Sequence, residues 1–205
     1  MRIIPIHRES DTDYSCISYW LLGDVNASTD RNTLIDTGNK GSENSAFFMR
    51  SMAAMSKGIG KMAVEQIIIT HDHYDHAGGL GVMDQQFAPQ VFSFLPSGSK
   101  RIAFCDGMHV RVGDQDAVLL HTPGHSDDSI CIYIPTLRIL FSGDTVVRIS
   151  DADGSYSHSY LASLQRLATL DIAAIYPGHG APITVDAGRF IKGCIDLIIK
   201  SPRTS

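Results

Sequence analysis

The 205-residue sequence contains no apolar run close to the roughly 20 residues that cross a bilayer. Its first eight residues also lack the apolar stretch of about 7–15 residues that is typical of a secretory signal. The net charge of −5 provides no excess of basic side chains for nucleic acid or an anionic membrane. These absences predict a cytoplasmic protein whose partners include neither nucleic acid nor membrane.

Cysteine is scarce and scattered, since Cys16, Cys105, Cys131 and Cys194 form no Cys-x-x-Cys pair. We therefore expect buried free thiols rather than disulfides or a thiolate zinc site. The sequence has no internal repeat, low-complexity tract or linker. With 43% hydrophobic and 19% charged residues, it predicts a single globular domain spanning residues 1–205. A chain of this size can bury a core without a disulfide or a metal staple.

Short apolar runs are present, and four of them end beside side chains that can bind metal. Each run predicts a buried strand followed by Gly or Pro punctuation. If four such strand ends point the same way, the polar residues that follow them meet in one site. The four segments are Val64–Ile69 before Thr70-His71, Ala117–Leu120 before the run to His125, Arg138–Phe141 before Asp144, and Ile172–Tyr176 before His179.

The other periodic segments indicate a mixed fold. Helical spacing of apolar residues predicts helices over 45–57, 160–170 and 185–200. Strands and helices alternate irregularly, which favours two β-sheets packed face to face and flanked by helices. Further strands are predicted at 2–6, 16–22, 33–35, 92–95, 101–105, 109–112 and 130–134.

The segment from Thr70 to Leu80 holds the densest cluster of metal-capable side chains. On a helix, His71 and His73 would lie about 200° apart, so they can share one ion only in a turn. Asp75 and His76 then suit a second, adjacent ion. The pair Gly78-Gly79 at the end of this cluster allows the backbone to pass close to a neighbour.

The later strand ends add imidazole and carboxylate groups and no thiolate. A structural zinc ion needs four ligands, whereas this chain offers seven, which indicates two ions. Nitrogen and oxygen donors of this kind suit Zn²⁺, with Fe²⁺ or Mn²⁺ as alternatives. The candidate ligands are His71, His73, Asp75, His76, His125, Asp144 and His179.

The motifs THDHYDH at 70–76, TPGH at 122–125, SGD at 142–144 and PGHG at 177–180 resemble those of the metallo-β-lactamase-fold hydrolases. This resemblance implies an α+β fold, a four-layer αββα sandwich with the metal site at one edge of its two sheets. It implies that Asp36 is a buried aspartate supporting the ligand loops. It assigns His71, His73 and His125 to one ion, Asp75, His76 and His179 to another, and Asp144 as a bridge between them.

Within this superfamily the chain resembles the compact glyoxalase II-like hydrolases. True β-lactamases typically carry a cysteine where Asp144 stands, and the flavin-linked diiron relatives carry a glutamate where His73 stands. The resemblance implies a hydrolase, most simply a dizinc enzyme, that uses a metal-bound hydroxide on an ester, thioester or lactone. Asp75 would orient the hydroxide as well as bind metal. We expect a small-molecule substrate, and the positive charge of two ions would suit an anionic one.

Two other functions stay open for the sequence. In a mononuclear iron persulfide dioxygenase, the resemblance would leave His71, His125 and Asp144 as the iron ligands. A more remote alternative is a non-catalytic binding protein that the metal stabilises. The sequence leaves open the oligomeric state and assigns no role to Tyr74, His121, Arg148 and His158.

Overall fold

The structure is a computed structural model that describes residues 1–7, 14–25, 27–53, 60–94, 101–146, 156–201 and 203–204. The chain forms two compact units. The first contains Met1–Phe104 and Val110–Asp116, and the second contains Cys105–His109 and Ala117–Ser205. The single domain over residues 1–205 stays a prediction.

The first unit is built on a six-stranded sheet whose spatial order follows the chain. The first three strands are antiparallel and the remaining neighbours are parallel. Three helices, α1 (Ser42–Ala53), α2 (Tyr74–Ala77) and α3 (Leu80–Phe87), complete the described part of the unit. The strands are β1 (Arg2–Ile6), β2 (Ser18–Leu22), β3 (Thr33–Ile35), β4 (Gln66–Ile68), β5 (Gln90–Ser93) and β6 (Arg101–Ala103).

The core of the first unit lies between this sheet and its helices. Trp20 on β2 is completely buried, and its indole N–H donates to the Ala63 carbonyl over 2.8 Å. Phe48 and Met52 on α1 belong to the same apolar cluster as Met83 on α3. The apolar stripe of α1 therefore fills the core, because residues three to four apart share one face of a helix.

The second sheet has five strands, in the order β12-β10-β9-β8-β7. β9 runs antiparallel to both β8 and β10, and β10 runs parallel to β12, so β8, β10 and β12 share one direction. Their carboxyl ends therefore meet at one edge. The strands are β7 (Met108–Val112), β8 (Gln115–His121), β9 (Ile130–Ile134), β10 (Ile139–Gly143) and β12 (Ala174–Pro177).

Two helices, α4 (His158–Leu167) and α5 (Ala187–Lys200), pack on strand residues such as Leu140 and Ile175 to form the core of the second unit. Leu164 and Leu167 on α4 lie in one buried cluster with Ile191 and Ile198 on α5. Two short strands, β11 (Tyr156–Ser157) and β13 (Arg203–Thr204), pair in parallel. They bring the segment after α5 next to the start of α4. Ser157 caps α4, since its hydroxyl accepts from the Tyr160 N–H over 3.2 Å.

The strand predictions are confirmed, and the strand ends differ from the predicted ones by no more than two residues. The short helices α2 and α3 were not predicted. In the segment from His71 to Phe87, the candidate metal ligands and the glycines are prominent, and no apolar residues recur at helical spacing over a long stretch. The last residues of the helix predicted over 45–57 lie outside the described residues. Cys16, Cys131 and Cys194 are buried as predicted, but the prediction is wrong for Cys105, which is exposed in the turn between β6 and β7.

Gly79 is a position where the fold requires the absence of a side chain. A Cβ atom there would overlap the Thr37 carbonyl oxygen, which belongs to the backbone and cannot move aside. We expect Gly79→Ala to lower the free energy of unfolding by about 1–3 kcal/mol, as overpacking does elsewhere. Urea denaturation of the metal-free protein measures this.

Gly81→Ala is the matched control. A Cβ atom at Gly81 meets nothing within 4 Å, and the residue lies in α3 at an ordinary helical φ. This variant should be as stable as the parent or slightly more stable, because alanine restricts the unfolded chain. Equal stability of the two variants would contradict the predicted close approach at Gly79.

Candidate metal centre

In the first unit, the candidate ligands lie in the turn that follows β4 and in helix α2. β4 ends at Ile68, the backbone is irregular as far as His73, and α2 begins at Tyr74. The prediction of a turn around His71 and His73 is therefore confirmed. Asp75 and His76 follow on α2 and are buried, and so is His71.

Asp36 is the centre of the hydrogen bonds that hold this segment. It lies directly after β3 with φ +57°, a left-handed conformation that Asp and Asn tolerate better than most residues. Its Oδ1 accepts from the Thr70 N–H, and its Oδ2 accepts from the Thr70 hydroxyl, each over 2.8 Å. The same Oδ2 lies 2.8 Å from His76 Nδ1. Asp36 thus holds the segment from Thr70 to His76 in place.

These bonds fix the tautomers of two imidazoles. The Asp36 carboxylate can only accept, so the 2.8 Å contact requires that His76 Nδ1 carry the hydrogen. The single hydroxyl hydrogen of Thr70 is given to Asp36, so in the 3.1 Å contact with His71 Nδ1 the imidazole must be the donor. When these rings are neutral, Nε2 is therefore the unprotonated nitrogen of each, and this is the tautomer that binds a metal ion through Nε2.

His71 and His73 form the first pair of donor atoms. His71 Nε2 lies 3.0 Å from His73 Nδ1. Two nitrogens bound at 2.0–2.1 Å to one tetrahedral zinc ion would lie about 3.3 Å apart. The lone pair on Nε2 of a neutral His71 faces the His73 ring, so a proton or a cation must lie between the two nitrogens. This spacing suits a single metal ion.

Asp75 and His76 form a second pair beside the first. Asp75 Oδ2 lies 3.6 Å from His76 Nε2. The ring centroids of His71 and His76 are only 4.1 Å apart, so the two donor pairs are neighbours within the first unit. Of the sequence-predicted ligands in this unit, the structure therefore brings all four together.

The two remaining side chains of the HDHYDH run point away from this donor set. Asp72 makes a 2.6 Å ion pair with Arg101 on β6. Tyr74 is 66% exposed. Asp72 and Tyr74 therefore lie outside the group of metal-capable side chains, and the predicted ligand set omits both.

Cys16 is a neighbour of this cluster that the sequence did not single out. Its sulfur, a carboxylate oxygen of Asp36 and a ring nitrogen of His76 all lie within 4.8 Å of one another. Burial raises the pKa of the Cys16 thiol, which keeps it protonated at neutral pH. Cys16 lies 60 residues before His76 and in no motif with it, so the sequence alone does not indicate that the two side chains are neighbours.

In the second unit, three candidate ligands come from three different strand ends. Asp144 directly follows β10, His179 follows β12 by two residues, and His125 lies in the loop after β8. Asp144 Oδ2 is 3.5 Å from His125 Nε2 and 3.6 Å from His179 Nε2. Asp144 is buried, with 8% of its surface exposed. The parallel direction of β8, β10 and β12 brings these residues together, as their positions at strand ends predict.

Hydrogen bonds from α4 hold the loops of this second group. The Ser163 hydroxyl donates to the Pro123 carbonyl over 2.7 Å, and the Tyr160 hydroxyl donates to the Thr145 carbonyl over 2.8 Å. Tyr160 is buried on α4, within the segment predicted to be helical. Burial also raises the pKa of Tyr160 well above its usual range, so it remains a donor.

His121 has a similar supporting role. Its Nε2 lies 2.8 Å from the carbonyl oxygen of Asp127, to which it must donate, and this closes the loop that carries His125. His158 is exposed at the start of α4, and Arg148 lies outside the described residues.

The donor atoms of each unit suit a divalent metal. In the first unit they are the Nε2 lone pairs of His71 and His76, His73 Nδ1 and the Asp75 carboxylate. In the second unit they are the Asp144 carboxylate and two imidazoles. Nitrogen and oxygen donors without thiolate are typical of catalytic zinc and of iron or manganese sites.

Comparison with known proteins identifies the family. The profile of the metallo-beta-lactamase superfamily matches residues 17–95 and 93–179 of the chain. The chain belongs to the metallo-beta-lactamase superfamily. This finding confirms the resemblance in the motifs, and the mixed α+β fold with helices beside two sheets agrees with it.

Relatives in the superfamily include proteins with hydrolase names. A beta-lactamase-like protein 2 homolog from Caenorhabditis elegans is 31% identical over 158 residues, covering 73% of this chain and 52% of that protein. An atrochrysone carboxyl ACP thioesterase from Aspergillus fumigatus is 28% identical over 190 residues, covering 86% of this chain and 44% of the relative. The chain thus spans about half the length of these curated relatives.

A solved structure supports the fold. A metallo-beta-lactamase family protein from Thermus thermophilus superposes with a TM-score of 0.74 at 20% identity, covering 95% of this chain and 78% of that one. None of the helices in the described part of the chain has the length and apolar character needed to cross a bilayer.

Proposed function

We propose that this superfamily member is a metal-dependent hydrolase of an ester, thioester or lactone, similar to the compact glyoxalase II-like enzymes. The observation that carries the proposal is the arrangement around Asp36, which holds the Nδ1 hydrogens of His71 and His76 and makes Nε2 the unprotonated nitrogen of each neutral ring. Hydrogen bonds from Nδ1 to a carboxylate or hydroxyl orient metal-binding imidazoles in this way. The thioesterase name of one relative supports the proposed reaction class.

The resemblance of the motifs implies that seven residues serve one metal centre, and we propose this ligand set for the chain. His71, His73 and His125 would hold one ion. Asp75, His76 and His179 would hold the other, and Asp144 would bind both. We propose zinc as the ion at both positions, with Fe²⁺ or Mn²⁺ as alternatives to be tested.

A bound divalent ion lowers the pKa of a water molecule to about 7 and polarises a carbonyl oxygen. The protein's own part is to hold the ligands and the substrate. Asp36 and Thr70 fix the imidazoles, and Asp75 accepts a hydrogen bond that orients the attacking water. In the reaction, oxygen from water bonds to the acyl carbon and the carbon–sulfur or carbon–oxygen bond breaks. The leaving thiol or alcohol takes a proton and the acid remains.

Metal removal and replacement tests this function. We expect the protein freed of metal with dipicolinate to lose hydrolysis of a panel of acyl-glutathione thioesters and lactones, and to recover it with Zn²⁺. The metal content per chain and the rate should rise together. Full activity of the metal-free protein would contradict the proposal.

The same preparations separate the iron alternative from the hydrolase. An anaerobically purified protein with one iron per chain that consumes oxygen with glutathione persulfide would be a persulfide dioxygenase. A binding protein that the metal only stabilises would instead lose thermal stability without metal and catalyse neither reaction.

A further inference from the structure

The second unit contains a cavity of about 480 Å³ beside His179. This volume lies within the range of about 300–1,000 Å³ that is common for small-molecule sites. Apart from the His179 ring, the side chains that line it are apolar. They are Val146, Pro177, Ala181, Ile183 and Phe190.

The walls of the cavity are fixed by the fold. Ile183 pairs with Ile175 of β12 through two backbone hydrogen bonds of 2.9 Å, so the chain after His179 returns along the strand. Gly180 makes the turn at φ +84°, where a side chain would be strained. Phe190 on α5 packs against the buried cluster of the unit. An apolar lining is therefore held in place before any ligand arrives.

The position of His179 relates this cavity to the proposed reaction. His179 Nε2 faces Asp144 Oδ2 over 3.6 Å, so the imidazole that lines the cavity is also one of the candidate metal ligands. A carbonyl group held at the metal would therefore lie at the cavity's polar end. The chain that extends from this carbonyl would meet only apolar walls among the described residues.

We infer that the cavity binds the apolar acyl chain of the ester or thioester substrate. This inference rests on the proposed function and narrows it to substrates with a hydrophobic acyl group. A charged acyl chain is disfavoured, because an ionised group in an apolar wall loses its hydration without gaining a partner.

A series of N-acetylcysteamine thioesters tests the inference. The acetyl, butyryl, hexanoyl and octanoyl compounds differ only in the number of methylene groups. We expect kcat/KM of the zinc-loaded protein to rise about fourfold with each added methylene until the cavity is filled. The succinyl thioester should react more slowly than the butyryl compound.

The variant Ala181→Asp places a carboxylate in the apolar wall. Ala181 is exposed, so the substitution does not disturb the core. We expect the ratio of octanoyl to acetyl kcat/KM to fall at least about tenfold, and this ratio cancels effects on the chemical step. Ala162→Asp is the matched control, because Ala162 is exposed on α4 and does not line the cavity. Its ratio should equal that of the parent.

Binding of octanoate and butyrate, measured by calorimetry, gives a readout that needs no catalysis. Octanoate should bind more tightly than butyrate to the parent and to Ala162→Asp, and this preference should be lost in Ala181→Asp. Hydrolysis with a flat chain-length series would overturn the inference and leave the proposed hydrolase intact. Octanoate binding that responds to Ala181→Asp without hydrolysis of any ester, thioester or lactone would support the cavity assignment and overturn the proposed function.

Discussion

Asp36→Asn is expected to weaken metal binding by about 10–100-fold, the usual cost of losing a group that orients a ligand. The backbone should tolerate the change, because asparagine adopts the positive φ of residue 36 as readily as aspartate. The substitution also preserves the volume of the buried side chain. Its effect should therefore come from the changed hydrogen bonds and the lost negative charge rather than from packing.

The physical reason is that asparagine cannot accept on both sides. If its carbonyl remains on the Thr70 N–H, its amide faces the Thr70 hydroxyl and His76 Nδ1, which both donate at present. His76 must then move its hydrogen to Nε2, the nitrogen needed by the metal. If the amide flips, it opposes the Thr70 N–H instead. The first orientation thus forces the wrong tautomer on His76, and the second places two donors against each other.

Zinc affinity measured by competition with a fluorescent chelator checks this prediction, and urea denaturation of the metal-free protein reports any loss of stability separately. Asp186→Asn is the matched control, since Asp186 also has a positive φ, of +52°, and its side chain is 63% exposed. An affinity of Asp36→Asn within about threefold of the control would show that Asp36 does not set the imidazole tautomers.

The sequence predicts the main features of both units because they follow from local signals. The apolar runs before His71, Asp144 and His179 are short and are followed at once by Thr, Ser or Pro, so both the strands and the place of their polar ends could be predicted. The turn at His71 and His73 followed from the angle between alternate residues on a helix. The structure confirms each of these features.

The supporting hydrogen bonds could not be predicted, because they depend on contacts between distant segments. Thr70 is an ordinary residue in the sequence, and its role appears only when β3 and β4 lie side by side and bring Asp36 to it. Tyr160 and Ser163 are likewise ordinary positions on a helix until α4 packs beside the loops that they hold. Cys105 was assigned by residue type, whereas its exposure follows from its place in a turn.

Asp144→Asn is expected to reduce catalysis more strongly than Asp36→Asn. Asp144 is buried between two imidazoles, with its Oδ2 within 3.6 Å of both Nε2 atoms. The asparagine has almost the same volume, but it removes one negative charge and one anionic oxygen from the proposed bridge. We expect kcat/KM to fall at least about 100-fold, since even residues that only orient ligands cost 10–100-fold. The metal bound per chain should also fall.

Metal analysis after dialysis and steady-state kinetics with the best thioester measure these two effects. Asp171→Asn provides the control in the same unit, because Asp171 is 72% exposed and its pair with Arg138 lies at the surface, where ion pairs contribute little. Loss of both metal and activity in Asp144→Asn alone would support the bridging role. If Asp144→Asn retained full metal content and activity, the proposed bridge and the two-ion centre would both be wrong, because no other described residue in the second unit has a carboxylate between His125 and His179.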